Sequence, residues 1–136
     1  MTTKPKATAT FEVKKWDEKK PDPAEPGGWL ARGTIASGLA GEIEGEATTE
    51  FLMLYVGSES ATYVGMQRVT ARLGGRSGSF VMQGSGTYVV STGIARTEWF
   101  VVPGSGTGQL AGLRGDWHEF AQKDPKGSIT FEYAFE

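Results

Sequence analysis

Glu98 and Glu119 are the residues of this chain with the sharpest potential for chemistry. A carboxylate enclosed by apolar side chains has its charged form disfavoured, so it can give or take a proton near neutral pH. Phe100, Trp117 and Tyr133 would supply such surroundings if their strands line one lumen. The alternative for either acid is a salt bridge with Arg96 or plain solvent exposure, because structural ion pairs perturb acids as well. Gln67 shares a period-two face with Tyr63 and Val69, and it reads either as a group that orients a ligand carbonyl or as a hydrogen-bonded interior amide. Arg68, on the opposite parity with Thr62 and Thr70, reads as exterior. His118 alternates with Trp117 and Glu119, so it stands outside if they stand inside, although histidine is the usual proton shuttle near neutral pH. Tyr55, Tyr88, Phe131 and Tyr133 would pack a core with or without a ligand.

Composition removes several other chemistries. The chain has no cysteine and one histidine, which leaves no thiolate nucleophile, no thiolate metal site and no imidazole cage. No metal is therefore expected. No Ser-His-Asp order is visible. The net charge of −2 and the absence of a clustered basic face argue against a nucleic-acid partner. No apolar leader and no run of about 18 apolar residues is present, so the expected setting is cytoplasmic, without a membrane partner.

The elements that must position these residues are strands. At 136 residues the chain fits one domain, residues 1–136, with 1–6 frayed. Ala9, Phe11 and Val13 alternate with Thr8, Thr10 and Glu12, which predicts a first strand over 7–15. Residues 16–28 gather charge and three prolines and read as a long loop or flap. A second strand is expected near 29–37. Leu39, Ile43, Ala47, Phe51, Met53 and Tyr55 then share one face, and Glu42, Glu44, Glu46 and Glu50 the other. Leu52, Leu54 and Val56 fall on the acidic parity, so either a bulge near Thr48 shifts the register or another subunit covers them.

Further strands are expected near 61–73, 79–83, 92–102 and 114–121, with a closing strand in which Ile129, Phe131, Tyr133 and Phe135 alternate with polar residues. Phe80, Met82, Gly84, Gly86 and Tyr88 share a parity whose large and small side chains suit the tapering interior of a small barrel. In the strand near 92–102, both faces are partly apolar: Ile94, Phe100 and Val102 on one, Trp99 and Val101 on the other. Glycine makes up 20 of the residues, about twice the usual share of roughly 7 %, and it stands among Val, Thr, Phe and Tyr as expected for turns and crowded strand positions. The fold class is all-β, a small closed antiparallel barrel of about eight strands.

After the strand ending at Pro103 comes a run of alternating glycines, Gly104 to Gly115. It lacks the spacing of a phosphate loop or a dinucleotide fingerprint, so it reads as a bulged β-connection. The run V-V-P-G-S-G-T-G-Q-L-A-G-L-R-G, with G-E-I-E-G-E-A-T-T-E-F-L-M, V-G-M-Q-R-V, L-G-G-R-S-G-S-F-V-M-Q and S-I-T-F-E-Y-A-F-E, resembles a bacterial family of small proteins of unassigned function. That family's fold is similar to allene oxide cyclase, a barrel shared with plant dirigent proteins and some spirotetronate-forming cyclases.

The resemblance implies a lumen that binds and folds an apolar small molecule without a cofactor, in a homodimer or homotrimer. Aligning the glycine run with the cyclases points Phe100, Val102, Trp117 and Glu119 inward. Trp117 and Glu119 depart from the family pattern, which has a small residue and an aromatic there; they either specialise the pocket or shift the register. The candidate acids are thus Glu119 and Glu98. The candidate ligand-binding residues are Trp117, Phe100, Val102, Tyr88, Met82, Gln67, Tyr63, Phe131 and Tyr133. Subunit contacts are expected at Leu52, Leu54, Trp99 and Val101. Two functions are open on this reading: a cofactor-independent isomerase or cyclase, or a binding barrel without turnover.

Overall fold

Eight strands, each hydrogen-bonded to its neighbours in chain order, close on themselves when the last pairs with the first. They are β1 (Lys6–Lys19), β2 (Trp29–Gly41), β3 (Ile43–Val56), β4 (Ser60–Leu73), β5 (Arg76–Val89), β6 (Ile94–Val101), β7 (Leu113–Ala121) and β8 (Lys126–Phe135). The computed structural model describes residues 5–19, 28–122 and 126–136. Every pairing is antiparallel, including the closure in which Ala9 faces Ile129 and Ala7 faces Phe131. Closure pairs the first and last strands over Lys6–Glu12, which removes most of the edge an open sheet would expose.

The expected alternation holds along most strands. Ala7 and Ala9 of β1, Phe80 and Met82 of β5, and Ile129 and Phe131 of β8 are buried inside. The first strand is longer than expected. It runs on to Lys19, so Trp16 to Lys19 belong to the sheet, while residues 20–27 of the expected flap lie outside the described residues. The register against β2 shifts between Val13 and Lys15, where Lys14 is the extra residue. Such a bulge re-aims the side chains downstream of it. Trp16 thereby joins Phe11 and Val13 on the wall of the lumen.

No bulge occurs near Thr48, since β3 keeps an unbroken register with β4 from Ile43–Leu73 to Val56–Ser60. Leu52 therefore points outward, opposite Val64 of β4, and Leu30 of β2 faces Leu54. Leu30, Leu52, Val64 and Met66 are exposed.

The interior divides into a packed part and an open part. At one end Phe80, Trp117, Phe131 and Tyr133 stack with centroid separations of 5.2 to 6.2 Å, surrounded by Ile43, Leu73 and Leu113. The glycine run seals this end. It folds back over β5, where the Thr107 N–H donates to Ser79 O at 2.8 Å, Ser105 Oγ accepts from the Val81 N–H at 3.0 Å, and Leu110 is buried. Gly106 must be glycine, since an added Cβ would lie 2.1 Å from Leu110 O. The run thus makes a lid held to β5 by backbone and side-chain hydrogen bonds.

Candidate functional site

At the other end the side chains leave a cavity of about 350 Å³. Its walls are mostly aromatic and aliphatic: Trp16, Ile35, Phe51, Met53, Tyr55, Tyr63, Tyr88 and Trp99 among them. The polar groups on its lining include Ser37, Thr49, Gln67, Thr97 and Glu119. Such a volume lies at the small end of the range for small-molecule sites, roughly 300–1,000 Å³, and a few polar groups on apolar walls are typical of them.

Glu119 enters through the pairing of β6 with β7. Thr97 faces Glu119 and Trp99 faces Trp117, so all four share the inner parity. Trp117 is fully buried in the packed part, and its Nε1–H donates to Glu119 Oε2 at 2.9 Å. The indole thus belongs to the packed core while its N–H holds the cavity's acid. Glu119 is half-buried and stands on the lining of the cavity. Loss of hydration pushes its pKa above the ordinary carboxylate range, opposed by the donors Trp117, Trp99 and Gln67. The Trp99 N–H faces the carboxylate closely enough to ease its charge, yet it lacks hydrogen-bond geometry and has no other acceptor among the described residues.

A second polar pair stands beside the acid. Tyr63 Oη lies 2.5 Å from Thr97 Oγ1. Burial raises the Tyr63 pKa, the bond to Thr97 lowers it, and the charge of Glu119 raises it. At the rim, Glu18 accepts from Tyr55 Oη at 2.7 Å and from Trp16 Nε1 at 3.1 Å, fixing two aromatic wall residues to one carboxylate. Burial and then Glu18 hold the Tyr55 hydroxyl far above the usual phenol range.

Of the residues expected at the site, Glu119, Gln67, Tyr63 and Tyr88 line the cavity. Trp117, Met82, Phe131 and Tyr133 point inward but pack the closed part, so only Trp117 reaches the site, through its N–H. Glu98 and Phe100 do not come to the lumen. The inner parity of β6 belongs to Thr97, Trp99 and Val101, which leaves Phe100 44 % exposed and sets Glu98 outside, paired with Nδ1 of His118. Val102 is half-buried just past the end of β6. For the same reason Trp99 and Val101, expected at a subunit contact, are interior. His118 is outside, as its alternation with Trp117 implies.

Sequence reasoning missed Trp99, Thr97, Thr49 and Trp16 as wall residues. A signal for Trp99 was present. Gly84 faces it from β5, and an added Cβ there would come within 2.7 Å of the indole. Glycines spaced by two on one strand announce large side chains on the next. Trp16 had no comparable signal, because the bulge at Lys14 leaves no mark in the alternation.

The described residues contain no group of three or more His, Cys, Asp or Glu placed to hold an ion. Among the described residues, no helix is long and apolar enough to cross a membrane.

Fold and site together define a class: a closed eight-stranded antiparallel barrel with the acid Glu119 on the wall of an apolar lumen. The chain belongs to the family described as protein of unknown function (DUF3224), which it matches over residues 7–133. It is similar to the crystal structure of a protein with unknown function from the same family in Shewanella oneidensis MR-1. That similarity covers 98 % of each chain at 31 % identity, with a TM-score of 0.80. No curated protein matches the chain.

Proposed function

We propose that the barrel is a cofactor-independent isomerase or cyclase that holds an apolar small molecule in its lumen and moves a proton with Glu119. The observation that carries this reading is a single carboxyl, enclosed beside an apolar cavity and held by the Trp117 N–H at 2.9 Å. Desolvation makes the carboxylate a stronger base and the carboxylic acid a persistent one, so one residue can take a proton from one carbon and return it to another. Aromatic walls fix the substrate's shape, which is the main requirement for ring closure or double-bond migration. The reading includes kinship to the allene oxide cyclase-like barrels, whose lumen would serve the same purpose.

The test uses 5-nitrobenzisoxazole, a small apolar substrate. Removal of its C3 proton by a base breaks the N–O bond and yields 2-cyano-4-nitrophenolate. The protein should accelerate this ring opening, and Glu119→Gln should lower the rate by about 100-fold, the lower bound of a positioned general base. Equal rates in the two proteins would remove Glu119 from the reaction. The alternative, a binding barrel without turnover, would then stand if a neutral fluorophore such as N-phenyl-1-naphthylamine still occupied the lumen.

The exposed residues Leu30, Leu52, Val64 and Met66 form an apolar strip across β2, β3 and β4. We propose this strip as the contact of a homodimer or homotrimer, because burial of such side chains is the usual reason for their grouping on a surface.

A further inference from the structure

The cavity's inventory of charge restricts what it can hold. Among the described lining residues there is one carboxyl and no Lys, Arg or His. An anionic ligand would meet Glu119 without any cation to offset it. The donors around the acid also matter. Trp117, Trp99 and Gln67 all direct N–H groups toward one carboxyl, and the Trp99 N–H is left without a hydrogen bond. A buried donor without an acceptor costs about 1–3 kcal/mol, and this cost ends when an acceptor arrives. An ammonium ligand could pair with an ionised Glu119 but could not supply that acceptor.

We infer that the lumen takes an uncharged, largely apolar molecule whose oxygen acceptor docks at Glu119 and Trp99. Trp99 Nε1 has no open surface of its own, so the incoming oxygen reaches it as the Glu119 carboxyl turns aside. That turn exchanges the contacts the carboxyl makes with Trp117 and Gln67 for the incoming oxygen. In its protonated form Glu119 is a second donor to the same oxygen. This inference rests on the proposal that the lumen is a ligand site and adds the class of ligand.

Four probes of one size separate the possibilities: acetophenone, ethylbenzene, benzoate and benzylammonium. Binding is followed by calorimetry and by the four tryptophan indole N–H signals in ¹H–¹⁵N spectra, with Trp99 assigned by its loss in Trp99→Phe. Acetophenone should bind at least about fivefold more tightly than ethylbenzene, as one net hydrogen bond implies. It should also move the Trp99 N–H signal downfield, and both ions should bind more weakly than the ketone. Trp99→Phe should reduce acetophenone affinity about fivefold more than ethylbenzene affinity. Equal affinity for ethylbenzene, an unmoved Trp99 signal in a bound complex, or tightest binding by either ion would overturn the inference while leaving a ligand-binding lumen. Failure of all four probes to bind would overturn the lumen reading and this inference together.

Discussion

Trp117 and Glu119 stand two residues apart on β7, on one face of the strand, and the indole of the first donates to the carboxyl of the second at 2.9 Å. The ring of Trp117 belongs to the packed part of the barrel, stacked against Phe131 at 5.2 Å, while its N–H serves the cavity. One side chain therefore joins the stability of the fold to the charge of the site.

Trp117→Phe should keep the aromatic packing but remove the donor. Glu119 then loses a stabiliser of its charged form, and its pKa should rise further above the ordinary range. The loss of a hydrogen bond to a buried acid should cost about 1–3 kcal/mol in urea unfolding.

Glu119 itself should oppose folding as pH rises. Its folded pKa is raised above its unfolded value, so the folded state binds more protons between the two values. Stability from this group is fully present below the unfolded value, about 4.3, and is lost as pH rises through the folded pKa. Glu119→Gln should thus melt close to the unmodified protein near pH 4 and above it at pH 8. Thermal melts across that range would contradict the burial of the acid if the gap stayed constant or closed with rising pH.

Gly84 provides the room that Trp99 occupies. An added Cβ would lie 2.3 Å from Glu98 O as well as 2.7 Å from the indole. Backbone and ring cannot both give way at low cost, so Gly84→Ala should destabilise by about 1–3 kcal/mol, the usual range for overpacking. Tryptophan fluorescence should shift as well. A fully stable Gly84→Ala would contradict the inward placement of Trp99.

The exterior strip makes its own prediction. Val64 is 55 % exposed, opposite Leu52. Val64→Asp should leave the monomer's stability within about 0.5 kcal/mol, as expected for surface changes, while sedimentation should show an oligomer converted to monomer. A sedimenting species that is monomeric before the substitution would remove the proposed contact.

The barrel was legible because alternation is a strong signal when one face of each strand is buried, as along Ile129, Phe131, Tyr133 and Phe135. Glu119 was placed inward together with Trp117, which shares its parity, through the resemblance of the glycine run. Glu98 and Phe100 were misplaced because β6 carries large apolar residues on both faces, so alternation alone could not choose between Phe100 and Trp99. The pairing of Trp99 with Gly84 decides it, and pairing is a property of two strands, not one. The lengthened β1 was hidden by a single bulged residue, Lys14, that carries Trp16 into the wall. Which interior residues border empty space was also illegible. Tyr88 and Phe131 read alike in the chain, yet one lines the cavity and the other fills the closed part.

The central claim is that Glu119 is the proton-transferring group of the lumen. The most direct measurement pairs the pH profile of 5-nitrobenzisoxazole ring opening with a ¹³C titration of the Glu119 carboxyl. The rate should rise with pH along the same curve as the titration, with its midpoint above the ordinary glutamate value of about 4.3. Glu98→Gln should follow that curve unchanged, and Glu119→Gln should be flat and about 100-fold lower. A Glu119→Gln protein that keeps the unmodified rate and pH profile would contradict the account.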